Sequence, residues 1–395
     1  MIVDRQDLNV RPVTDSVLRK IAGEFVNEVE RGPICWSNEL ALHVIEVKSN
    51  GPAPELGALA AQFQQGARDI NEILESMDAM LLPTGAHPWM DPVRELRLWP
   101  HEYNPIYEAY NHIFHCQGHG WANLQSMHVN LPFSGDAEFA RLHAAIRLAL
   151  PILPALSAST PFLDGKRSPY FDARLDAYRH HMDAVPSLIG QVVPEPVYSR
   201  EAYEREILGR IYKDLEPHDP EKVLMEEWAN ARGAIARFDR MAIEIRVLDT
   251  QECPQADLAI AAAASSLVRT LCEGRLADQA EQRAFPTGDL ADIFTQTLTH
   301  AGDAIIDDRD YLELLGCTEK SITARELWRG LMGQFWPGGS QERQQFGETI
   351  DVILEQGCLA RRICAATGEN PAREKLAEVY RKLSACLAEG RQFVL

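Results

Sequence analysis

Three segments with the alternating pattern of β-strands carry polar side chains that could take part in catalysis. Glu46 lies in the first segment, His128 and Asn130 lie in the second, and Glu244 and Arg246 lie in the third. Residues i and i+2 of a strand point to the same sheet face, so the two polar residues of the second and of the third segment would project side by side. Carboxylates and an imidazole beside an arginine suit divalent cations that bridge to phosphate oxygens.

The same pattern has a simpler interpretation. A half-exposed strand alternates apolar and charged residues whether or not it belongs to a site. The charged pairs Glu244–Arg246 and Glu46–Lys48 could therefore lie on a solvated strand face. Spacing by itself leaves both interpretations open.

A cluster of histidines raises the alternative of a zinc site. His112, His115 and His119 are spaced i, i+3 and i+7, which would place them near one helical face. Gly118 and Gly120 interrupt that helix, and no His-Glu-x-x-His motif is present. A zinc-dependent hydrolase is the less favoured reading, and histidines without a metal role are the simpler one.

Other candidate residues lie in a loop and among the arginines. The loop 84–89 combines a glycine, a proline and His87 after a short strand, and either a binding loop or a structural turn fits it. Arginines are frequent between residues 94 and 246, where they suit phosphates and a substrate carboxylate, although surface ion pairing explains any single one. No P-loop, dinucleotide fingerprint or Gly-x-Ser-x-Gly motif occurs.

Composition limits the partners. The 395 residues include 39 Lys and Arg against 58 Asp and Glu, a net charge of −19, which argues against binding nucleic-acid phosphates. No apolar run is long enough for a membrane span or a signal peptide. Eight cysteines without a Cys-x-x-Cys pair fit a reducing cytoplasm. We expect a cytoplasmic homo-oligomer that binds small molecules and neither nucleic acid nor membrane.

The order of elements predicts an α+β protein. Strands are predicted at 34–48, 80–82, 125–131 and 242–248, and helices at 54–80, 103–114, 136–158, 200–212 and 219–232. After residue 255 the pattern is almost purely helical. An α+β catalytic part followed by a helical C-terminal region accounts for this division.

Several motifs, in this order, resemble glutamate-cysteine ligase family 2, the ATP-dependent carboxylate–amine ligases related to glutamine synthetase. They are Gly85-Ala-His87-Pro88, His128-Val-Asn130, the segment 156–162 with Gly165 and Arg174, and Glu244-Ile-Arg246-Val-Leu-Asp249. The resemblance runs from the first residues to about residue 265. The helical tail beyond about residue 300 adds little to it.

The resemblance implies a fold and a division of the chain. The fold would be a curved, mainly antiparallel sheet of the glutamine synthetase/guanido kinase-like type, with helices on its outer side. Residues 1–300 would form the catalytic domain, and residues 301–395 a helical C-terminal region. The concave face of the sheet would hold ATP, Mg²⁺ or Mn²⁺ ions and the amino acid.

The resemblance also implies three sets of site residues. The metal ligands would be Glu46, His128 and Glu244. The contacts to the transferred phosphate and the substrates would be Arg246, Arg174 and His87. The nucleotide contacts would be Asn130 and one of Arg232 and Arg237.

The implied reaction joins two small molecules. ATP would phosphorylate the carboxylate of glutamate or a similar amino acid, and an amine such as cysteine would attack the acyl phosphate to give an amide. Metal ions and arginine would offset the charge that gathers during the transfer. The sequence does not identify a general base.

One departure from the family pattern concerns the first strand. Family members carry Glu-x-Glu there, whereas Met1-Ile-Val-Asp4 matches only the end of such a strand. Either the chain starts downstream of the two glutamates, or it lacks them by nature. The second case favours a non-catalytic ligand- or partner-binding relative on the same scaffold.

Overall fold

In the computed structural model, which describes residues 1–395, all strands belong to five small antiparallel sheets. The chain is 51% helical and 13% strand. The strands are β1 (Ile2–Asp4), β2 (Glu28–Arg31), β3 (Ile34–Asn38), β4 (Ile45–Ser49), β5 (Ala79–Leu81), β6 (Ser126–Pro132), β7 (Phe162–Leu163), β8 (Lys166–Arg167), β9 (Ala234–Arg237), β10 (Ala242–Asp249), β11 (Ile305–Ile306) and β12 (Ile322–Thr323). The predicted mixture of helices and antiparallel strands is confirmed, and the single curved sheet stays a prediction.

The helices surround these sheets and dominate the second half of the chain. They are α1 (Thr14–Ala22), α2 (Leu56–Glu75), α3 (Pro92–Glu95), α4 (Asn104–Phe114), α5 (His119–Ala122), α6 (Gly135–Ala149), α7 (Pro154–Ser157), α8 (Ala173–His180), α9 (Arg200–Tyr203), α10 (Gly209–Leu215), α11 (Pro254–Cys272), α12 (Gln279–Ala284), α13 (Thr287–His300), α14 (Arg309–Leu314), α15 (Ala324–Phe335), α16 (Gln341–Gln356), α17 (Leu359–Thr367) and α18 (Arg373–Glu389). None is long and apolar enough to cross a membrane.

Two predicted elements are wrong, and the short strands β2, β7, β8, β9, β11 and β12 were not predicted. The segment 34–48 is a hairpin, β3–β4, because the chain between the strands bonds elsewhere: Leu40 accepts from the Trp99 N–H, and the Leu42 N–H donates to Arg97. The segment 219–232 is mostly irregular, since the Asp219 carboxylate accepts N–H groups that a continuing helix would use. Of these, β2 and β9 each pair with the strand that follows in sequence, β3 and β10 respectively.

The sheet β6-β10-β9 has β10 at its centre. Ile243 and Ile245 are fully buried and pack into the main hydrophobic core, which turns the alternate residues of β10 to the other face. Glu244 pairs in register with Asn130 of β6, and the register then shifts between Ile245 and Leu248. Such an irregularity re-aims the side chains beside it.

The sheet β2-β3-β4 packs one face on α2. Trp36 and Val47 lie opposite each other on this face and approach Gly66, where an added Cβ would come within 2.8 Å of Ile34. Glycine therefore permits the helix to pack closely on the sheet. The other face of the sheet carries Glu46.

The last two helices close over the first strand. α17 and α18 form a second hydrophobic cluster with Val3, Leu82 and Phe162. The Arg373 guanidinium of α18 donates to Asn9 and lies over the Trp89 ring. The C-terminal helices thus pack directly on the N-terminal strand.

Candidate functional site

The face of β10 that points away from the core carries a compact group of charges. Oε1 of Glu244 lies 3.1 Å from Nε of Arg246 and 3.5 Å from Nδ1 of His128 on β6. Glu244 is 8% exposed, whereas Arg246 and His128 are 24% and 30% exposed. Burial opposes ionisation of Glu244, but the charges of His128 and Arg246 outweigh it and lower its pKa. Glu244 is therefore an ionised carboxylate between two partly exposed side chains, and we call the surface formed by Glu244, Arg246 and His128 the cleft.

The second sheet faces the same cleft. The Glu46 carboxylate accepts a hydrogen bond of 2.6 Å from Ser37 and lies 3.5 Å from Nζ of Lys48. Burial lowers the pKa of His128, and the charge of Glu46, together with that of Glu244, opposes this change. Glu46 is thus within electrostatic range of the group on β10.

Glu39, in the turn between β3 and β4, also belongs to this cleft. Burial and the like charge of Glu46 raise the pKa of Glu39 to about 7, while Arg246 opposes the rise. The residue is nevertheless exposed, so water screens the charges around it and a ligand can reach its carboxylate. Glu39 falls inside the strand predicted at 34–48 and was not singled out from the sequence. The available signal was a polar pair, Asn38-Glu39, that interrupts an apolar segment.

Helix α4 forms a wall of the cleft. The Tyr107 hydroxyl accepts a hydrogen bond of 2.9 Å from Asn38, and burial followed by the charge of Glu39 raises its pKa. Tyr110, one turn further along α4, has its pKa raised by burial, and Arg246 opposes this rise. The two tyrosines share one helix face, and they lie within electrostatic range of Glu39 and of Arg246, respectively. Neither tyrosine was singled out from the sequence.

The donor set fits a divalent cation that is shared with a ligand. No three His, Cys, Asp or Glu side chains are close enough together to hold a metal ion by themselves. The repulsion between Glu39 and Glu46 leaves negative charge that a cation would offset. Nε of Arg246 is buried without a hydrogen-bond acceptor, which a phosphate oxygen would supply. Mg²⁺ commonly takes one or two protein carboxylates and completes its shell with phosphate and water, so Mg²⁺ or Mn²⁺ with ATP fits, and the set Glu46, His128 and Glu244 stays a prediction.

Arg174 lies inside the protein beneath β10. It is 1% exposed, and its Nε donates to Oδ1 of Asp249 over 2.6 Å. Its Nη1 donates to the backbone carbonyl of Arg246 over 3.2 Å. Direct contact of Arg174 with a substrate stays a prediction.

His87 is also buried. One ring nitrogen, Nε2, lies 2.7 Å from the carbonyl of Leu8, and the other accepts from the Trp89 N–H. Burial lowers the pKa of His87 to about 3, so its ring is neutral at physiological pH. The Asn123 side chain fixes the backbone of His87, because it accepts a hydrogen bond from the His87 N–H and donates one to the His87 carbonyl. A substrate contact by His87 stays a prediction.

The two arginines proposed for nucleotide binding, Arg232 and Arg237, lie in different surroundings. Arg232 is buried and forms a two-point ion pair with Glu195 over 2.6 and 2.7 Å. Arg237 ends β9, pairs with Asp239, and its charge lowers the pKa of Glu244. Arg237 is therefore electrostatically linked to the cleft, whereas the guanidinium of Arg232 is committed to Glu195. Asn130 is exposed beside Glu244.

The prediction that three histidines share one helical face is wrong. Helix α4 ends at Phe114, because His115 adopts a left-handed conformation with φ of +52°. His119 begins the separate helix α5, and its Nε2 lies 3.1 Å from Asp164. The helical spacing therefore does not gather these rings.

Comparisons with known proteins agree with this arrangement of motifs. The family model described as glutamate-cysteine ligase family 2 matches residues 1–382, well beyond the motifs that end near residue 265. An uncharacterized protein of Archaeoglobus fulgidus is 32% identical over 393 residues, which cover 99% of this chain and 98% of that protein. The similarity thus includes the C-terminal helices as well as the cleft. The chain belongs to glutamate-cysteine ligase family 2.

Proposed function

We propose that this protein is an ATP-dependent carboxylate–amine ligase that forms an amide through an acyl phosphate. One observation carries the proposal beyond family membership. An ionised Glu244 is flanked by His128 and Arg246, and these two side chains lie within electrostatic range of Glu46 and Glu39. Cationic and anionic groups that converge in this way suit a phosphate together with its cation.

In this proposal, Arg246 binds the phosphoryl group during transfer. Its Nη1 donates to the carbonyl of Asn230, which holds the guanidinium, while its Nε–H has no hydrogen-bond acceptor in the protein. A preorganised arginine stabilises the charge that develops on the transferred oxygens. Glu46, His128 and Glu244 would hold Mg²⁺ or Mn²⁺, which supplies further charge neutralisation on the phosphates.

Glu39 is the best candidate for the general base. A carboxyl group with a pKa of about 7 can accept a proton near neutral pH. The amine nitrogen would attack the acyl carbon, the carbon–oxygen bond to phosphate would break, and Glu39 would take the proton that the nitrogen loses. The acid would be glutamate or a similar amino acid, and the amine one such as cysteine.

The wider arrangement is proposed on the same basis. The five sheets would belong to one curved glutamine synthetase-like scaffold, with a catalytic domain at 1–300 and a helical region at 301–395. All candidate site residues precede residue 250, and helices dominate after it, which supports this division. We infer a cytoplasmic homo-oligomer.

A second candidate is a non-catalytic ligand- or partner-binding relative on the same scaffold. The observation in its favour is that β1 carries Ile-Val-Asp and no Glu-x-Glu. A Glu-x-Glu does occur on β2, but Glu28 of that pair lies 3.1 Å from Nζ of Lys48. Two carboxylates that family members use for metal would then be absent, and nucleotide binding would weaken.

The test is release of ADP and phosphate with a panel of amino acids and amines in the presence of Mg²⁺ or Mn²⁺. It should be run on this chain and on one extended with the upstream genomic sequence. Calorimetry with Mg–ATP separates the two candidates, because tight binding of Mg–ATP by this chain would count against the non-catalytic relative. The ligase proposal fails if no pair of substrates is turned over and Glu244→Ala binds Mg–ATP as well as the parent.

A further inference from the structure

The backbone around Arg246 is held in an unusual way. β10 pairs with β6 as far as Ile245, and the register then shifts before Leu248. The Arg246 N–H donates to the carbonyl of Gly233, but its own carbonyl accepts from a side chain, Nη1 of Arg174, over 3.2 Å. The strand ladder therefore does not fix this residue on both sides.

Arg174 is itself rigidly anchored. Its Nε donates over 2.6 Å to Oδ1 of Asp249, which is fully buried. The other oxygen of Asp249 accepts from the Ser159 N–H over 2.8 Å and from the Thr160 hydroxyl over 3.0 Å. Because all these groups are removed from water, the ion pair has little freedom to rearrange.

A second carboxyl group lies beside this pair. Burial and the charge of Asp249 raise the pKa of Asp172 well above its ordinary range. The carboxylate in direct contact with Arg174 is nevertheless that of Asp249, at 2.6 Å from Nε, and this contact leaves Nη1 of Arg174 to bond the β10 backbone.

We propose that Arg174 is a positioning residue, which fixes the backbone of Arg246 at the irregular point of β10 so that the Arg246 guanidinium is aimed into the cleft. Only the role of Arg246 in this statement rests on the proposed function. The effect of Arg174 on ligands passes through Arg246, so the two residues must be energetically coupled. A purely structural arginine would show no such coupling.

The chain offers a matched control in Arg362. It is fully buried, and its Nη1 lies 2.6 Å from Oε1 of Glu252, three residues after Asp249 in sequence. Its Nε donates to the carbonyl of Gly357. Arg362 thus has the same chemistry and burial as Arg174, but it holds the C-terminal part of the chain and not the carbonyl of Arg246.

The experiment measures binding of a non-hydrolysable ATP analogue with Mg²⁺ by calorimetry. The variants are Arg174→Lys, Arg362→Lys, Arg246→Lys and the double variant of residues 174 and 246. We expect Arg174→Lys to weaken affinity while the binding stoichiometry stays near one. When Arg246 is already replaced by Lys, the fold-loss of affinity caused by Arg174→Lys should be at least about threefold smaller. Arg362→Lys should lower the unfolding temperature and leave affinity unchanged.

Two results would overturn the proposal. One is that the Arg174→Lys and Arg246→Lys changes alter the affinity for the analogue independently, so that their fold-changes multiply in the double variant. The other is a reduced stoichiometry with unchanged affinity in Arg174→Lys, which is the signature of partial misfolding. If Arg174→Lys does not fold, Asp249→Asn, which removes the charged partner and keeps the shape, is measured in the same cycle. Because binding of the analogue needs no turnover, failure of the ligase proposal, seen as no ADP release by the parent, is distinguishable from failure of this one.

Discussion

Nε of Arg246 lies 3.1 Å from Oε1 of Glu244, two residues earlier on the same face of β10, yet it makes no hydrogen bond. Charge attraction thus holds the pair together, while the Nε–H of Arg246 is not directed at the Glu244 carboxylate. A ligand oxygen that accepts from this N–H would complete the site.

Replacing Glu244 by Gln should weaken binding of Mg–ATP by about tenfold or more, because a hard cation loses a carboxylate ligand. Calorimetry with and without Mg²⁺ measures the effect. Glu378→Gln on α18 is the control, since Glu378 is exposed and pairs only with surface lysines. Equal Mg–ATP affinities of the Glu244 variant and the parent would contradict the assignment.

Glu39 should impose an acidic limb on the pH profile of turnover. A base acts only when deprotonated, so kcat/KM should fall as pH drops through about 7. Glu39→Gln should abolish this limb and lower the plateau. Glu46→Gln should move the limb to lower pH, because it removes the like charge that raises the pKa of Glu39.

The limb is measured as kcat/KM between pH 5.5 and 8.5, a range of about one and a half units on each side of the expected pKa. Saturating Mg²⁺ should also shift it to lower pH, since a nearby cation favours the carboxylate. An unchanged profile in Glu39→Gln would assign the limb to another group.

Gly85→Ala should destabilise the protein. An added Cβ would lie 2.4 Å from Oδ1 of Asp249, and the Asp249 side chain cannot move away because it is buried and bonded to Arg174. We expect a loss of about 1–3 kcal/mol, as for other overpacked sites, measured by chemical denaturation. Gly330→Ala is the matched control with opposite sign: nothing lies within 4 Å of its added Cβ in the exposed interior of α15, so a gain of roughly 0.5–1 kcal/mol is expected.

Buried histidines should make the fold sensitive to acid. Burial lowers the pKa of His143 to about 3, and neither of its ring nitrogens has a hydrogen-bond partner. The unfolded value is about 6.5, so the unfolded chain takes up the proton first. Stability is full above pH 6.5 and falls as the pH drops from there toward 3.

His143→Leu should therefore lower the pH at which acid unfolding occurs, because the variant has one fewer group that must become charged on unfolding. Circular dichroism during an acid titration measures the midpoint. His218→Gln, a change at an exposed position, should leave the midpoint unchanged. A midpoint that does not move in His143→Leu would assign acid sensitivity to other buried groups.

Sequence reasoning located the central site elements well and the pairing between distant segments poorly. The alternation around Glu244 and Arg246 predicted β10 and the shared face, because strand periodicity is a local property. Glu39 was missed since its position depends on a hairpin whose turn bonds with residues 97–99. Nothing local distinguishes Arg232, which is paired with Glu195, from Arg237 at the cleft. The role of an arginine is set by which carboxylate the fold brings to it.

The packing of α18 on β1 has a consequence for synthesis of the chain. Gln6 and Arg381, 375 positions apart, are joined by a hydrogen bond, and Val3 shares a hydrophobic cluster with α17 and α18. During translation the first strand leaves the ribosome long before the helices that cover it. The apolar side chain of Val3 therefore lacks its helical cover until almost the whole polypeptide has emerged, and it stays exposed or bound by a chaperone until then. Translation speed and chaperone supply should therefore govern the yield of native protein.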